Sequence, residues 1–376
     1  MPKHGDFRDS VRPLPPASSR SGVIELGDFA LESGEVIPGL RMSYVTFGRL
    51  NADKSNVILS LHGLGGNRLS QSHWAGPGKA LDTDRYFVIQ PDTFGVASMD
   101  AGATTSPTRS GLNMRFPRFS IRDMVNAEHG LLTRGFGINH VLAVTGTSMG
   151  GMQALQWAVS FPGFMEAVVA MLPMARTSRH LAFICEIARR AVMQDPDWKG
   201  GDYPDDAPPR KGMGSGWLVQ NAFTASSAWF EADGATGSNV AALCDETERL
   251  AGQNLQARDW IYRTWALASH DIGHTPGFGG DLLVAARAIE ARVLLLPNSR
   301  DQLTTLREGG LLEVAAHIPK AKLVDIDDVA GHRATTNPSP ETLALITSEV
   351  HDLFQRIEKG QPGISGPRFP AGWAHR

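Results

Sequence analysis

Gly146-Thr147-Ser148-Met149-Gly150 has the form Gly-x-Ser-x-Gly. An apolar run of strand character precedes it, Val141-Leu142-Ala143-Val144, and a run of helix character follows, Met152 to Val159. A chain that turns from strand to helix over one residue strains that residue and exposes its side chain at the end of a sheet. Glycines on either side let strand and helix approach where a side chain would collide. A serine in that place reads as a nucleophile. The plainer alternative is a helix N-cap, for which serine is also a preferred residue.

A serine hydroxyl is a weak nucleophile at neutral pH. It needs a base, and the base needs an orienting acid. On an α/β-hydrolase sheet these follow the serine in the order acid, then histidine. Asp301 comes after the apolar run Arg292–Leu296, in Pro297-Asn298-Ser299-Arg300-Asp301. His332 comes after the run Lys322–Ile326, in Val329-Ala330-Gly331-His332. Asp301 also stands near a helix start, where aspartate is a common N-cap. His332 is one of 12 histidines, so it carries weight only jointly with chain order and strand ends. Asp325, Asp327 and Asp328 compete for the acid role, but they lie on or beside the strand that leads into the histidine loop. Acyl transfer further needs donors for the developing oxyanion. The N–H of Met149, the residue after the serine, is one. The N–H of Leu64, in His62-Gly63-Leu64-Gly65-Gly66, is assigned as the other, and His62 reads as structural.

These residues must be placed by a sheet. Val23–Leu31 and Leu40–Phe47 alternate like an edge hairpin. Val57–Leu61 and Tyr86–Gln90 are continuous apolar runs, as buried parallel strands require. Ser120 and Asp123 fit a capping box opening a helix from Ile121 to about Arg134. Glu166–Met171 is another strand. Strand character is then lost for about 110 residues, and five of the eight tryptophans fall there: Trp198, Trp217, Trp229, Trp260 and Trp265. Alternation resumes at Arg292, with a helix expected from Gln302 to about Ala316 and a last helix from Glu341 to about Ile357. The pattern predicts an α/β fold, a mostly parallel sheet with helices on both faces. Its core comprises residues 23–174 and 291–358, and residues 175–290 form a helical lid inserted over the carboxyl ends of the strands. Residues 1–22 read as a flexible arm and 359–376 as an irregular tail.

Composition narrows the function. A net charge of -3 over 376 residues gives no case for nucleic acid or an anionic membrane. The sequence contains no apolar run long enough to span a bilayer and no signal-peptide core. Two cysteines, Cys185 and Cys244, make no disulfide framework, so a reducing, cytoplasmic setting is expected. Gly78-Lys79 lacks the hydroxyl residue of a phosphate loop, and Arg68 stands where a dinucleotide fingerprint needs its third glycine. His270-Asp271-Ile272-Gly273-His274 has the outline of a zinc-protease helix, but Asp replaces Glu and Pro276 ends any helix. No metal and no resident cofactor are expected.

The segments Gly76–Val88, Phe116-Pro117 with Ser120–Val125, and Ser148–Ala158 together resemble the homoserine O-acetyltransferase family of α/β-hydrolase-fold enzymes. The resemblance runs from about Val23 to Ile357. It implies Ser148, Asp301 and His332 as the triad, and a homodimer formed through lid helices. It also exposes departures. The family places an aspartate after the histidine to hold the substrate amino group; this chain has Arg333. The family's lid arginine for the substrate carboxylate aligns with Trp217. An ammonium facing Arg333 is repelled, and a carboxylate without its arginine loses a bidentate contact. Arg333 and Trp217 are therefore expected to line a pocket for something other than an amino acid. The leading expectation is a serine hydrolase acting on a small-molecule carboxylic ester. The alternative is an O-acyltransferase that takes acetyl-CoA or another acyl-CoA as co-substrate and passes the acyl group to an alcohol. A third reading, an inactive binding scaffold, conflicts with an intact triad.

Overall fold

The computed structural model describes residues 19–231 and 240–361. Eight strands form one sheet: β1 (Arg20–Ala30), β2 (Val36–Phe47), β3 (Val57–Leu61), β4 (Phe87–Pro91), β5 (Val141–Thr147), β6 (Met165–Met171), β7 (Arg292–Leu296) and β8 (Ala321–Leu323). Their order is β1-β2-β4-β3-β5-β6-β7-β8. The hairpin β1–β2 is antiparallel and joins β4 antiparallel, and the remaining pairs are parallel. The register puts Leu61, Gly146, Ala170, Leu295 and Leu323 in one row across five strands. Every loop that carries a candidate residue leaves the sheet just beyond that row.

Among the described residues, the α-helices of six residues or more are α1 (Ile121–Gly130), α2 (Met149–Ser160), α3 (Arg179–Met193), α4 (Arg210–Asn221), α5 (Val240–Asn254), α6 (Ala257–Ala268), α7 (Leu282–Arg287), α8 (Leu311–His317) and α9 (Pro340–Glu358). The strands feed both faces by their two-residue alternation. In β7, Val293 and Leu295 join the core on the face that α1 and α2 also line. Leu294 and Leu296 join Ile346, Val350, Leu353 and Phe354 of α9 on the other face. Ser120 caps α1 as expected: its hydroxyl accepts the Asp123 N–H at 3.0 Å, and the Asp123 carboxylate accepts the Ser120 N–H at 2.8 Å.

Helices α3 to α6 lie between β6 and β7, where the lid was expected. The glycine-rich stretch around Gly212, Gly214 and Gly216 forms most of α4 rather than an irregular loop. Packing overrides the poor helix propensity of glycine here. A Cβ on Gly212 would lie 2.6 Å from the Asp195 side chain, on Gly214 2.7 Å from the Glu248 carbonyl oxygen, and on Gly216 2.6 Å from Val192. The bare face lets α4 wedge between α3 and α5.

Some boundaries differ from expectation. β1 begins at Arg20, inside the expected arm; the rest of that arm, and the tail beyond residue 361, fall outside the described residues. The helix expected from Gln302 starts only at Leu311, because Gly309 and Gly310 take left-handed φ of 67° and 70°. The last strand covers Ala321–Leu323 and stops short of Ile326. Among the described residues, no helix is long and apolar enough to cross a membrane.

Candidate active site

Ser148 follows β5 directly, with φ 58° and ψ −121°, a left-handed conformation in a residue with a side chain. Such a conformation costs on the order of 1–3 kcal/mol and persists only where the surroundings dictate it. They do so through close backbone contact. A Cβ on Gly146 would lie 2.2 Å from the Gly150 carbonyl oxygen, and one on Gly150 would lie 2.3 Å from that of Leu61. The Ser148 N–H donates to the Met171 carbonyl at 2.8 Å, tying the turn to β6. The Ser148 side chain makes no capping bond to α2. Its Oγ lies 2.8 Å from His332 Nε2 instead. The N-cap alternative for this serine fails on that geometry.

His332 sits on a short helical turn, Gly331–Thr335. Its Nδ1 lies 2.6 Å from Asp301 Oδ2. The histidine side chain keeps 11% exposure and the aspartate none. Asp301 Oδ1 accepts the N–H groups of Leu303 and Thr304 at 2.8 and 3.1 Å, and Oδ2 accepts the Thr304 hydroxyl at 2.6 Å. Asp301 therefore makes both sets of contacts at once: one oxygen caps a turn and the other faces the histidine. Burial pushes the carboxyl pKa up. His332 and the bonds from Thr304 and Leu303 outweigh it and hold the group below its ordinary value. The competing aspartates are engaged elsewhere. Asp325 accepts the Ser299 N–H, Asp327 pairs with Arg300, and Asp328 accepts the Ser339 and Thr342 hydroxyls. Buried Asn298 binds the Asp328 and Gly331 carbonyls, each at 2.8 Å, and so fixes the acid loop to the histidine loop. Thr304 and Asn298 were not singled out from the sequence. A hydroxyl three residues after Asp301, the spacing of a capped turn, was the only available signal.

The loop after β3 passes beside the serine. A Cβ on Gly63 would lie 3.6 Å from Ser148 Cβ. Residues Gly63 to Gly66 close a turn through Gly66 N–H to Gly63 O at 3.3 Å. His62 is buried; its Nδ1 lies 2.8 Å from Gly63 O and its Nε2 accepts the Thr93 N–H at 3.3 Å. Burial and the nearby Arg263 guanidinium push the His62 pKa down to about 3. A neutral imidazole donating through Nδ1 fits the structural reading of this residue. Met149 opens α2, where the first N–H groups lack helical partners and the helix dipole favours negative charge. The Trp217 ring lies against the loop, so close that a Cβ on Gly65 would sit 2.6 Å from its Cη2.

Arg333 is half-buried and its guanidinium turns to the end of α4 and the residues after it. Nε donates to Thr224 Oγ1 at 3.1 Å and Nη2 to Asn221 Oδ1 at 3.3 Å. The Trp229 ring lies 4.7 Å away from the guanidinium carbon. The Ser226 hydroxyl donates to the Val329 carbonyl at 2.6 Å, and a Cβ on Gly331 would lie 3.0 Å from the Thr224 carbonyl oxygen. The histidine loop is thus stapled to residues 221–226, a feature not found from the sequence. In the zinc-like stretch, Asp271 is taken by Arg176 at 2.6 Å and by the Gly273 N–H at 2.8 Å.

Sheet order and serine turn define an α/β-hydrolase, and the family described as alpha/beta hydrolase fold matches residues 56–332. A homoserine O-acetyltransferase from Thermobifida fusca (strain YX) is 34% identical over 363 residues, which cover 88% of this chain and 93% of that one. The chain belongs to the homoserine O-acetyltransferase family of α/β-hydrolase-fold enzymes. Two solved structures are similar throughout. An acetylester hydrolase from Corynebacterium glutamicum superimposes with a TM-score of 0.82 at 28% identity, covering 89% of this chain and 96% of that one. A homoserine O-acetyltransferase from Bacillus anthracis gives 0.78 at 26% identity, covering 93% and 99%. The protein is an enzyme of the hydrolase or acyltransferase type.

Proposed function

We propose that the protein hydrolyses small carboxylic esters, acetyl esters among them, through an acyl-Ser148 intermediate. The observation that carries this reading is the hydrogen-bonded chain Ser148–His332–Asp301 on a left-handed serine. As Ser148 Oγ attacks the ester carbonyl carbon, His332 Nε2 takes the hydroxyl proton. Asp301 holds the imidazole by Nδ1 and stabilises its positive charge. The N–H groups of Met149 and Leu64 receive the oxyanion. Collapse breaks the carbon–oxygen bond to the alcohol, which leaves with the proton from His332. Water repeats the sequence at the acyl-serine and releases the acid. No resident cofactor or metal has a part in these steps.

Hydrolysis is favoured over transfer to homoserine by the fate of two positions. Arg333 stands where the resemblance implies an aspartate for the substrate ammonium, and Trp217 lays an apolar ring on the Gly65 loop. The second reading, acyl-CoA-dependent acylation of an alcohol, is supported by the 34% identity to a homoserine O-acetyltransferase. We also propose a homodimer through the lid, since α3 turns Phe183 and Ile187 to solvent, and a cytoplasmic setting for the free thiols Cys185 and Cys244. The enzyme readings separate in one experiment. p-Nitrophenyl acetate turnover is compared with CoA release from acetyl-CoA, with and without homoserine. Ester turnover lost in Ser148→Ala supports hydrolysis. Fast CoA release that requires homoserine would overturn it.

A further inference from the structure

Arg263 lies in α6 with its side chain fully buried, and neither sequence nor proposed mechanism has given it a task. Its Nη2 donates to the Gly63 carbonyl oxygen at 3.1 Å and contacts Met149 Sδ at 3.5 Å. Its Nε and Nη1 are buried without hydrogen-bond partners. Burial lowers the pKa, to about 10, with Glu128, Asp92 and Asp259 opposing, so the group stays charged at neutral pH. A buried charge with unpaired donors is poor for stability; an apolar side chain of similar volume is often neutral or better. The residue therefore calls for another explanation, and its partner supplies one.

The Gly63 carbonyl belongs to the peptide whose N–H is that of Leu64. In a trans peptide the C=O and N–H point in opposite directions. Gly63 O lies against three donors at once: Arg263 Nη2, His62 Nδ1 at 2.8 Å and the Gly66 N–H at 3.3 Å. Holding that oxygen fixes the direction of the Leu64 N–H. A cation on the oxygen also draws electron density from the amide, which strengthens the N–H as a donor. We propose that Arg263 is a positioning residue for the oxyanion hole, aiming and polarising the Leu64 N–H through the Gly63 carbonyl. This rests on the serine-hydrolase reading.

The test measures p-nitrophenyl acetate hydrolysis per active site, titrated from the acyl-enzyme burst, in Arg263→Met, Arg263→Lys and the pair Arg263→Met/Glu128→Gln. The pair removes both buried charges and guards against misfolding from an uncompensated Glu128. Removing an oxyanion donor outright lowers kcat roughly 100- to 1,000-fold, so misaiming one should lower it about 10- to 100-fold. KM should change less than about 3-fold, because the donor acts chiefly on the developing oxyanion. Affinity for a short-chain trifluoromethyl ketone, which forms a tetrahedral adduct with serine, should fall in parallel with kcat. Arg263→Lys should recover part of both. Per-site kcat and ketone affinity within about 2-fold of wild type in Arg263→Met and in the pair would overturn the assignment alone. A wild type that neither hydrolyses the ester nor is labelled at Ser148 by a fluorophosphonate would overturn the hydrolytic reading, and this assignment with it.

Discussion

Gly65 offers the sharpest test of how α4 meets the loop after β3. Gly65→Ala would place a Cβ 2.6, 3.1 and 3.5 Å from Cη2, Cζ3 and Cζ2 of Trp217. Carbon atoms in contact rest at about 3.5–4.0 Å, so something must move by on the order of 1 Å. Backbone strain is not at issue, because Gly65 is not among the residues with positive φ. Helix α4 cannot retreat as a body, since Gly212, Gly214 and Gly216 already sit at contact distance from α3, α5 and the Asp195 turn. Either the Trp217 ring swings or the loop shifts and carries Leu64 with it. Overpacking of this kind costs about 1–3 kcal/mol, and a 1 Å misplacement of a reacting group costs on the order of 100-fold in rate. Gly65→Ala should therefore lower kcat/KM for p-nitrophenyl acetate by about 10- to 100-fold. Trp217→Ala removes the colliding ring, so the double variant should return to within about 3-fold of Trp217→Ala alone. The double-mutant cycle should give a coupling above about 1 kcal/mol. Additive losses, with coupling near zero, would refute the claim that Trp217 bears on this loop.

Other perturbations follow from the same contacts. Gly150→Ala sets a Cβ 2.3 Å from the Leu61 carbonyl, which is backbone in the sheet centre; it should abolish ester turnover and lower Tm, and a variant with wild-type turnover would contradict the close approach. Burial lifts the Glu128 carboxyl to about 7, above its ordinary value. The folded state then holds that proton to higher pH than the unfolded chain, so this group's contribution is full below pH 4.5 and lost as pH rises through 7. Glu128→Gln should gain stability relative to wild type across that window, by at most about 3 kcal/mol. Urea melts at pH 5 and pH 8 check this, and a pH-independent difference would count against it. Arg333→Ala removes the ties to Asn221 and Thr224, and should raise amide hydrogen exchange across residues 221–229 while leaving α9 unchanged. Burial pushes the Cys185 thiol up to about 12, so native protein should show at most one fast thiol toward a disulfide reagent at pH 8, and a second only on unfolding.

Much of the fold was legible because parallel strands buried on both faces must read as apolar runs. β3, β5, β6 and β7 were each visible for that reason, and with them the loops that carry Ser148, Asp301 and His332. α4 was not legible: Gly212, Gly214 and Gly216 argue against a helix until α3 and α5 are in place to need a bare face. Ser148 could be placed because strand, turn and helix are contiguous in sequence. Arg263 could not. Its significance depends on the Gly63 carbonyl, 200 residues away in the chain, and an arginine in an amphipathic helix reads as a solvated surface residue.

The geometry around His332 bears on what accepts the acyl group. His332 and Arg333 are neighbours, yet one is held from the sheet and the other from the lid. Asp301 and Asn298 fix the loop below. Thr224, Asn221 and Ser226 fix it above. Residues 221–226 therefore cannot swing away as a rigid piece without disturbing the imidazole, unless those bonds break first. Charge-assisted bonds of the Arg333 kind contribute about 1.5–3 kcal/mol each. An aspartate at position 333 would lose both donors and would face Asn221 Oδ1 with its own oxygens. On the proposed reading, one arginine would do two things: deny an ammonium its counter-ion and, through Thr224 and Asn221, brace the loop that carries His332. On that reading, an amino-acid acceptor would require more than exchanging residue 333, because residues 221–226 would also need a new hold on the histidine loop.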